Sequence, residues 1–294
     1  MVMDTIIRKK VLKIQERLGM RIGVNYGSNK IPVVRTTSQT LEVLRDLYKV
    51  GLKAFVLPKE LFAGISSASD LYKGYYGDLL KIRDIANKFN IELALHHPSL
   101  SDQPDETLKT FCSIASIMNC RTFIIQPTFY SNMPQDQALR LVVYKINEIV
   151  TGLRTSAKIG IETTGRVNEL GSLEDVIDIV KRTRDTEPVV NWAHVHARGS
   201  GALRGEDDFR RVFDKVRGEV GQSWLSNIYF LFSGVSYGPS GMIKHIPLSE
   251  SDISLKTLIR QSISFGAKGT LIFEDPQKEK FILKVLEDLG DMVR

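Results

Sequence analysis

The chain has 294 residues, 25% of them charged and 43% hydrophobic, the balance of an ordinary folded protein rather than of a disordered or membrane-spanning one. No apolar run is long enough to cross a bilayer. Lysine plus arginine exceed aspartate plus glutamate by 40 to 34, a net charge of +6 that suits a polyanionic partner such as DNA and equally suits a solvated basic surface.

The opening stretch, MVMDTIIRKKVLKIQERLGM, mixes charged and apolar residues and lacks the unbroken apolar core and small-residue cleavage site of a secretory signal. It predicts an amphipathic helix over residues 1–19 ahead of a single domain over 20–294, in a cytoplasmic protein read as a monomer. After it one pattern repeats: a short β-rich run, a polar loop, a helix-period segment. The predicted strands are Arg21 to Asn25, Lys53 to Leu57, Ile91 to His96, Arg121 to Gln126, Lys158 to Thr163, Val189 to Ala193, Ile228 to Phe232 and Thr270 to Glu274. The helical segments are TSQTLEVLRDLYKVG, YGDLLKIRDIANKFN, DETLKTFCSIASIMN, DQALRLVVYKINEIVTGL, LEDVIDIVKRT, DDFRRVFDKV, SLKTLIRQSISFGA and QKEKFILKVLEDLG. Several begin at Ser, Thr or Asp and several end at Gly or Asn, residues that satisfy helix ends. Cys112 and Cys120 fall in one helix eight residues apart, too far for a disulfide, and read as reduced core residues.

Strict alternation implies a parallel sheet, and eight units imply closure as a (β/α)8 TIM barrel. An open doubly wound sheet is the structural alternative, but no GxGxxG fingerprint opens a helix. In a barrel the C-terminal strand ends converge on one pocket. In order they carry Asn25 and Tyr26; Pro58 and Lys59; His96 and His97; Gln126; Glu162 and two threonines; Asn191 and His194; Leu231 to Gly234, with His245 in the next loop; and Glu274 with Asp275. All five histidines, at 96, 97, 194, 196 and 245, lie at or just beyond a strand end.

Neutral imidazole is the commonest metal ligand and the best proton carrier near neutrality, so this clustering points to a metal centre of nitrogen and oxygen ligands. Each residue alone has a plainer reading. A single histidine is often a hydrogen-bonded core residue. Glu162 in IGIETTG and Glu274 in TLIFEDP sit in apolar runs, where a buried carboxylate needs a cation or an arginine. His194 and His196 alternate in NWAHVHARG and would share a face as strand residues, whereas a turn after Ala193 would split them into one ligand and one hydrogen-bonding neighbour. His245 lies in a segment marked by Gly and Pro, where surface and ligand roles are both open.

The same segments resemble the endonuclease IV family, metal-dependent AP endonucleases of the xylose isomerase-like TIM barrel superfamily, from about Met20 to the C-terminus. LHHPSL resembles the family's HAPY-like motif, IGIETTG its strand-five motif, NWAHVHARGSG the DFAHxHAR segment, FSGVSYGPSGMIKHIPL the FSG-to-HLPL segment and LIFEDP the last strand. The resemblance implies a phosphodiesterase of DNA repair acting on abasic or damaged DNA. Its metal ligands would be His96, Glu162, His194, His245 and Glu274, with Glu162 and Glu274 catalytic. His97 and His196 would neighbour the site, Arg198 and Lys244 would hold phosphate, and Leu100 would be a DNA wedge.

Four positions depart from that pattern. Gln126 replaces a histidine ligand, Asn191 an aspartate and Leu231 a histidine, and Ile243 occupies a region that often supplies an acidic ligand. Ser99 also stands where the family often has a tyrosine that opens the DNA. Gln126 and Asn191 can coordinate through oxygen, but they bring no charge. The expectation is therefore fewer than the family's three ions, zinc first and manganese second. Two alternatives stand beside this reading. One is a non-catalytic relative that binds nucleic acid or a partner; the other is a sugar isomerase or epimerase using Glu162 and Glu274 around one divalent ion.

Overall fold

The computed structural model describes residues 2–25, 33–65, 67–97, 104–128, 130, 133–152 and 157–292. Its elements in chain order are α1 (Val2–Leu18), β1 (Met20–Val24), α2 (Thr37–Val50), β2 (Ala54–Pro58), α3 (Ala68–Asp70), α4 (Tyr76–Phe89), β3 (Glu92–His97), α5 (Pro104–Ile117), β4 (Thr122–Ile125), α6 (Gln135–Gly152), β5 (Lys158–Glu162), α7 (Leu173–Arg182), β6 (Thr186–Asn191), α8 (Trp192–Arg198), α9 (Glu206–Val220), β7 (Ile228–Phe232), β8 (Gly234–Gly238), β9 (Gly241–Ile246), α10 (Leu255–Ser264), β10 (Gly269–Phe273) and α11 (Glu279–Met292). Eight parallel strands close in the order β1-β10-β7-β6-β5-β4-β3-β2. The expected barrel is present.

Local chemistry sets the helix ends. Thr36 accepts the N–H of Gln39 ahead of α2, and Gly51 ends that helix at φ 93°, a left-handed backbone that suits glycine. Ser172 and Asp175 form a reciprocal capping box at α7. α1 bridges the ends of α2 and α11. Arg8 Nε donates to the Tyr48 carbonyl, Gln15 Nε2 donates to the Gly51 carbonyl, and Gln15 Oε1 accepts from the N–H of Ile22 in β1. On the other side, a Cβ added at Gly290 of α11 would meet Ile14 and Lys10.

Strand alternation sorts the core. One face of each strand packs outward on the helices through residues such as Ile22, Phe55, Leu95, Phe123, Ile161, Phe230 and Phe273. The other fills the barrel with Ala54, Val56, Ala94, Ile124, Val189, Tyr229, Leu231 and Ile272. Gly23 completes this inner face because a Cβ there would stand 2.3 Å from the Ala54 carbonyl oxygen. Two residues onward, the inward register ends at the mouth in Asn25, Pro58, His96, Gln126, Glu162, Asn191, Ser233 and Glu274; two residues back, at the base, it includes Arg21, Glu92, Thr122, Lys158, Glu187 and Thr270. The barrel is thus apolar in its middle and polar at both ends.

Three expectations need correction. The sixth strand is Thr186–Asn191 rather than Val189 to Ala193, because Asn191 caps a short helix, α8, that begins at Trp192. The segment carrying His245 is an antiparallel hairpin, β8–β9, and not an irregular loop. Cys120 does not share a helix with Cys112 as expected, because α5 ends at Ile117 and Cys120 lies in the turn before β4; both thiols are free and buried, and burial pushes Cys112 up to about 12. No helix among the described residues is long and apolar enough to cross a membrane.

Candidate active site at the barrel mouth

Glu162, at the end of β5, is completely buried. Its Oε2 accepts from His96 Nε2 at 2.9 Å and from Gln126 Nε2 at 3.2 Å, and its Oε1 accepts from Asn191 Nδ2 at 2.9 Å. Glu274, just past β10, accepts from Asn25 Nδ2 at 2.5 Å and from Asn191 Nδ2 at 3.0 Å. One amide nitrogen therefore links the two carboxylates.

His194 stands in the first turn of α8, with Nδ1 donating to the Thr163 carbonyl at 2.7 Å and lying 3.3 Å from Glu162 Oε1. Its Nε2 lies 3.5 Å from Asn191 Nδ2. His245 reaches in from the hairpin, its Nδ1 2.6 Å from Ser233 Oγ and its ring centroid 5.7 Å from that of His194.

The charges are held unequally. Burial alone would raise Glu162, but the charge and hydrogen bond of His96, with His194, pull its carboxyl well below the usual range. Burial pushes Glu274 up, reinforced by the charge of Glu162. Burial opposes a charge on His96, yet Glu162 outweighs it and raises that imidazole. Burial, then the charge of His194, lowers His245 to about 4.

The structure thus brings together His96, Gln126, Glu162, Asn191, His194, His245 and Glu274. Other candidates stand elsewhere. His97 alternates to the outer face of β3, with its ring edge-on to Phe111 at 4.7 Å. His196 turns away from His194 because α8 is helical: its Nε2 donates to Asp252 at 2.9 Å and its Nδ1 accepts from the N–H of Leu203. Arg198 donates to Thr164 Oγ1 and to the carbonyls of Arg166, Val167 and Glu169, so its guanidinium fastens the loop after β5. Lys244 is exposed on β9 beside Ile243, while Leu231 belongs to the barrel's apolar filling. Ser99, Leu100 and Tyr26 lie outside the described residues. Asn25 and Ser233 had no role assigned from sequence, although their inward position at the ends of β1 and β7 is the signal that finds them.

The donor chemistry does not fit the divalent ion that the resemblance implies. A cation needs carboxylate and amide oxygens turned toward it. Here amide N–H groups of Asn25, Gln126 and Asn191 point at the carboxylates instead. Among the described residues, no three His, Cys, Asp or Glu side chains form a metal-holding group.

No family model matches the chain. It is 23% identical over 260 residues to the uncharacterized protein MJ0133 of Methanocaldococcus jannaschii, spanning 86% of this chain and 92% of that one. Three solved structures are similar. A D-tagatose 3-epimerase-like protein superposes with a TM-score of 0.61 at 15% identity, over 92% of this chain and 98% of its own. A xylose isomerase domain protein from Planctomyces limnophilus gives 0.61 at 10% identity, over 93% and 96%. The IolI protein with a bound zinc atom gives 0.60 at 15% identity, over 93% and 96%. At these identities the likeness is one of fold, and the chain folds as a xylose isomerase-like (β/α)8 TIM barrel.

Proposed function

We propose that this barrel is a divergent relative of the endonuclease IV-type proteins that binds nucleic acid at its mouth without metal-dependent cleavage. One observation carries the reading: each oxygen of Glu162 and Glu274 accepts an N–H from the protein, and Asn191 turns its amide hydrogens, not an oxygen, toward the point where the two carboxylates would share an ion. The ordered motifs and the net charge of +6 favour a polyanion over a small neutral ligand. The β8–β9 hairpin supplies contacts suited to one, with Lys244 exposed and Ile243 65% exposed beside it. Arg198 has no part in it, because its guanidinium is committed to the loop it holds.

The test is fluorescence anisotropy with abasic duplex, intact duplex and single-stranded DNA at two salt concentrations, paired with a cleavage assay in zinc, manganese or chelator. Salt-sensitive binding with every strand intact is the expected result. Zinc-dependent scission that Glu162→Gln abolishes would replace it with the nuclease reading, and failure to bind any of the three would sink it.

A second reading is favoured by the unequal carboxylates. Glu274 held toward its protonated form beside an ionised Glu162 is the arrangement of an acid and a base on one small substrate. Epimerase-like proteins are among the similar folds. Deuterium entering a ketose from D2O, followed by proton NMR and lost in Glu162→Gln, would establish this reading in place of the first.

A further inference from the structure

We infer that Asn191 is the residue that excludes a divalent cation from the mouth, by fixing an amide N–H2 at the point where the surrounding groups would share the ion. Its Nδ2 lies 2.9 Å from Glu162 Oε1, 3.0 Å from Glu274 Oε2 and 3.5 Å from His194 Nε2. Two carboxylates and an imidazole nitrogen thus surround a single amide nitrogen. The amide protons satisfy what an ion would otherwise satisfy.

The orientation of that amide is decided at both of its ends. Asn191 is the N-cap of α8, and its Oδ1 accepts the backbone N–H of His194 at 3.3 Å. A flipped amide would turn N–H2 against that N–H and set its oxygen between two carboxylates, unfavourable on both sides in a buried site. The backbone is held as well, since the N–H of Asn191 donates to Thr163 Oγ1 at 3.0 Å and Thr163 Oγ1 returns a bond to the Asn191 carbonyl. Asparagine therefore cannot lend its oxygen to a metal while it caps the helix.

Aspartate could do both. It has the same shape, and one oxygen would keep the cap while the other joined Glu162, Glu274 and His194. A single atom exchange, oxygen for N–H2, separates a site that repels a cation from one that gathers it. Gln126 and Asn25 add amide donors to the same two carboxylates, on the sides away from Asn191. The inference rests on the geometry of the mouth and holds whichever substrate the mouth takes.

The test is calorimetric titration of chelator-treated protein with Zn2+ and with Mn2+, in wild type, Glu162→Gln and Asn191→Asp, with melting temperatures recorded with and without metal. Wild type is expected to show no uptake that Glu162→Gln removes. Asn191→Asp is expected to bind one equivalent, on the order of a hundredfold tighter than wild type, and to melt higher with metal than without. One equivalent bound by wild type and lost in Glu162→Gln would overturn the inference, and so would a folded Asn191→Asp that gains nothing. Should Asn191→Asp not fold, the wild-type and Glu162→Gln titrations decide the matter alone. DNA binding, measured separately on wild type, bears on the proposed function and not on this result.

Discussion

The two ends of the barrel bury carboxylates on the same inward register and treat them in opposite ways. At the base, Arg121 meets Glu187 with two parallel bonds of 3.1 and 3.2 Å and also donates to the Asn227 carbonyl, while Arg21 lies 3.6 Å from Glu92. There a guanidinium stands against each carboxylate, although burial still outweighs Arg121 and raises Glu187. At the mouth, Glu162 and Glu274 receive hydrogen bonds from neutral amides, and the remaining electrostatic conflict is relieved by protons, with Glu274 and His96 both shifted upward. Hydrogen bonds satisfy lone pairs, but only a counter-ion or a proton removes charge. The base reads as a stabilising plug and the mouth as a site kept under electrostatic tension.

The largest expected effect falls on the base. Arg121→Met leaves Glu187, whose side chain is 8% exposed, without its partner, and should destabilise the fold by about 3–5 kcal/mol in urea unfolding. A loss below 1 kcal/mol would show that the base does not carry that role. Next comes Asn191→Ala, which removes two bonds to carboxylates and a helix cap and should cost roughly 3 kcal/mol by the same measurement. A neutral result there would mean that the carboxylates do not depend on the amide.

A smaller effect depends on pH. The folded-state pKa of Glu274 is raised to about 7, so the folded chain holds a proton that the unfolded chain gives up in the ordinary carboxylate range. The stability tied to that proton is full below this range and is lost as pH rises through about 7. Glu274→Gln stays neutral throughout, so its stability relative to wild type should improve between pH 5 and pH 8 by on the order of 2 kcal/mol in paired thermal melts. A difference that does not change with pH would remove the tension from the mouth. Smallest in stability is Ile243→Ala, expected within about 0.5 kcal/mol of wild type because the side chain is on the surface. It should nevertheless weaken DNA binding in the anisotropy assay, and unchanged affinity would take the hairpin out of the contact.

Much of this was legible in the sequence because period-two and period-four patterns rarely imitate one another. Ile228–Phe232 falls where expected, and β1–β5 and β10 begin or end within a residue or so of their predicted bounds. NWAHVHARG misleads because His194 and His196 alternate as in a strand, while Ala193 and Ala197, four apart and both buried, carry the helical spacing. GPSG between VSY and MIKHI carries the hairpin signal, which its Gly and Pro also make look like loop punctuation. His97 follows from alternation alone, since it cannot share the inward face with His96. The direction in which Asn191 turns its amide could not be read from the chain. It depends on the cap of α8 and on two glutamates from distant strands, and so exists only once the barrel has closed.

That closure has a consequence for synthesis. β1 pairs with β10, and α1 rests on α11, so both early elements are completed by segments made more than two hundred residues later. A nascent chain still lacking β10 leaves the facing edges of β1 and β7 unpaired, each a template for another strand. Until the final strand emerges from the ribosome, this protein is an open sheet at risk of aggregation, and a stop codon anywhere ahead of β10 would leave it permanently in that condition.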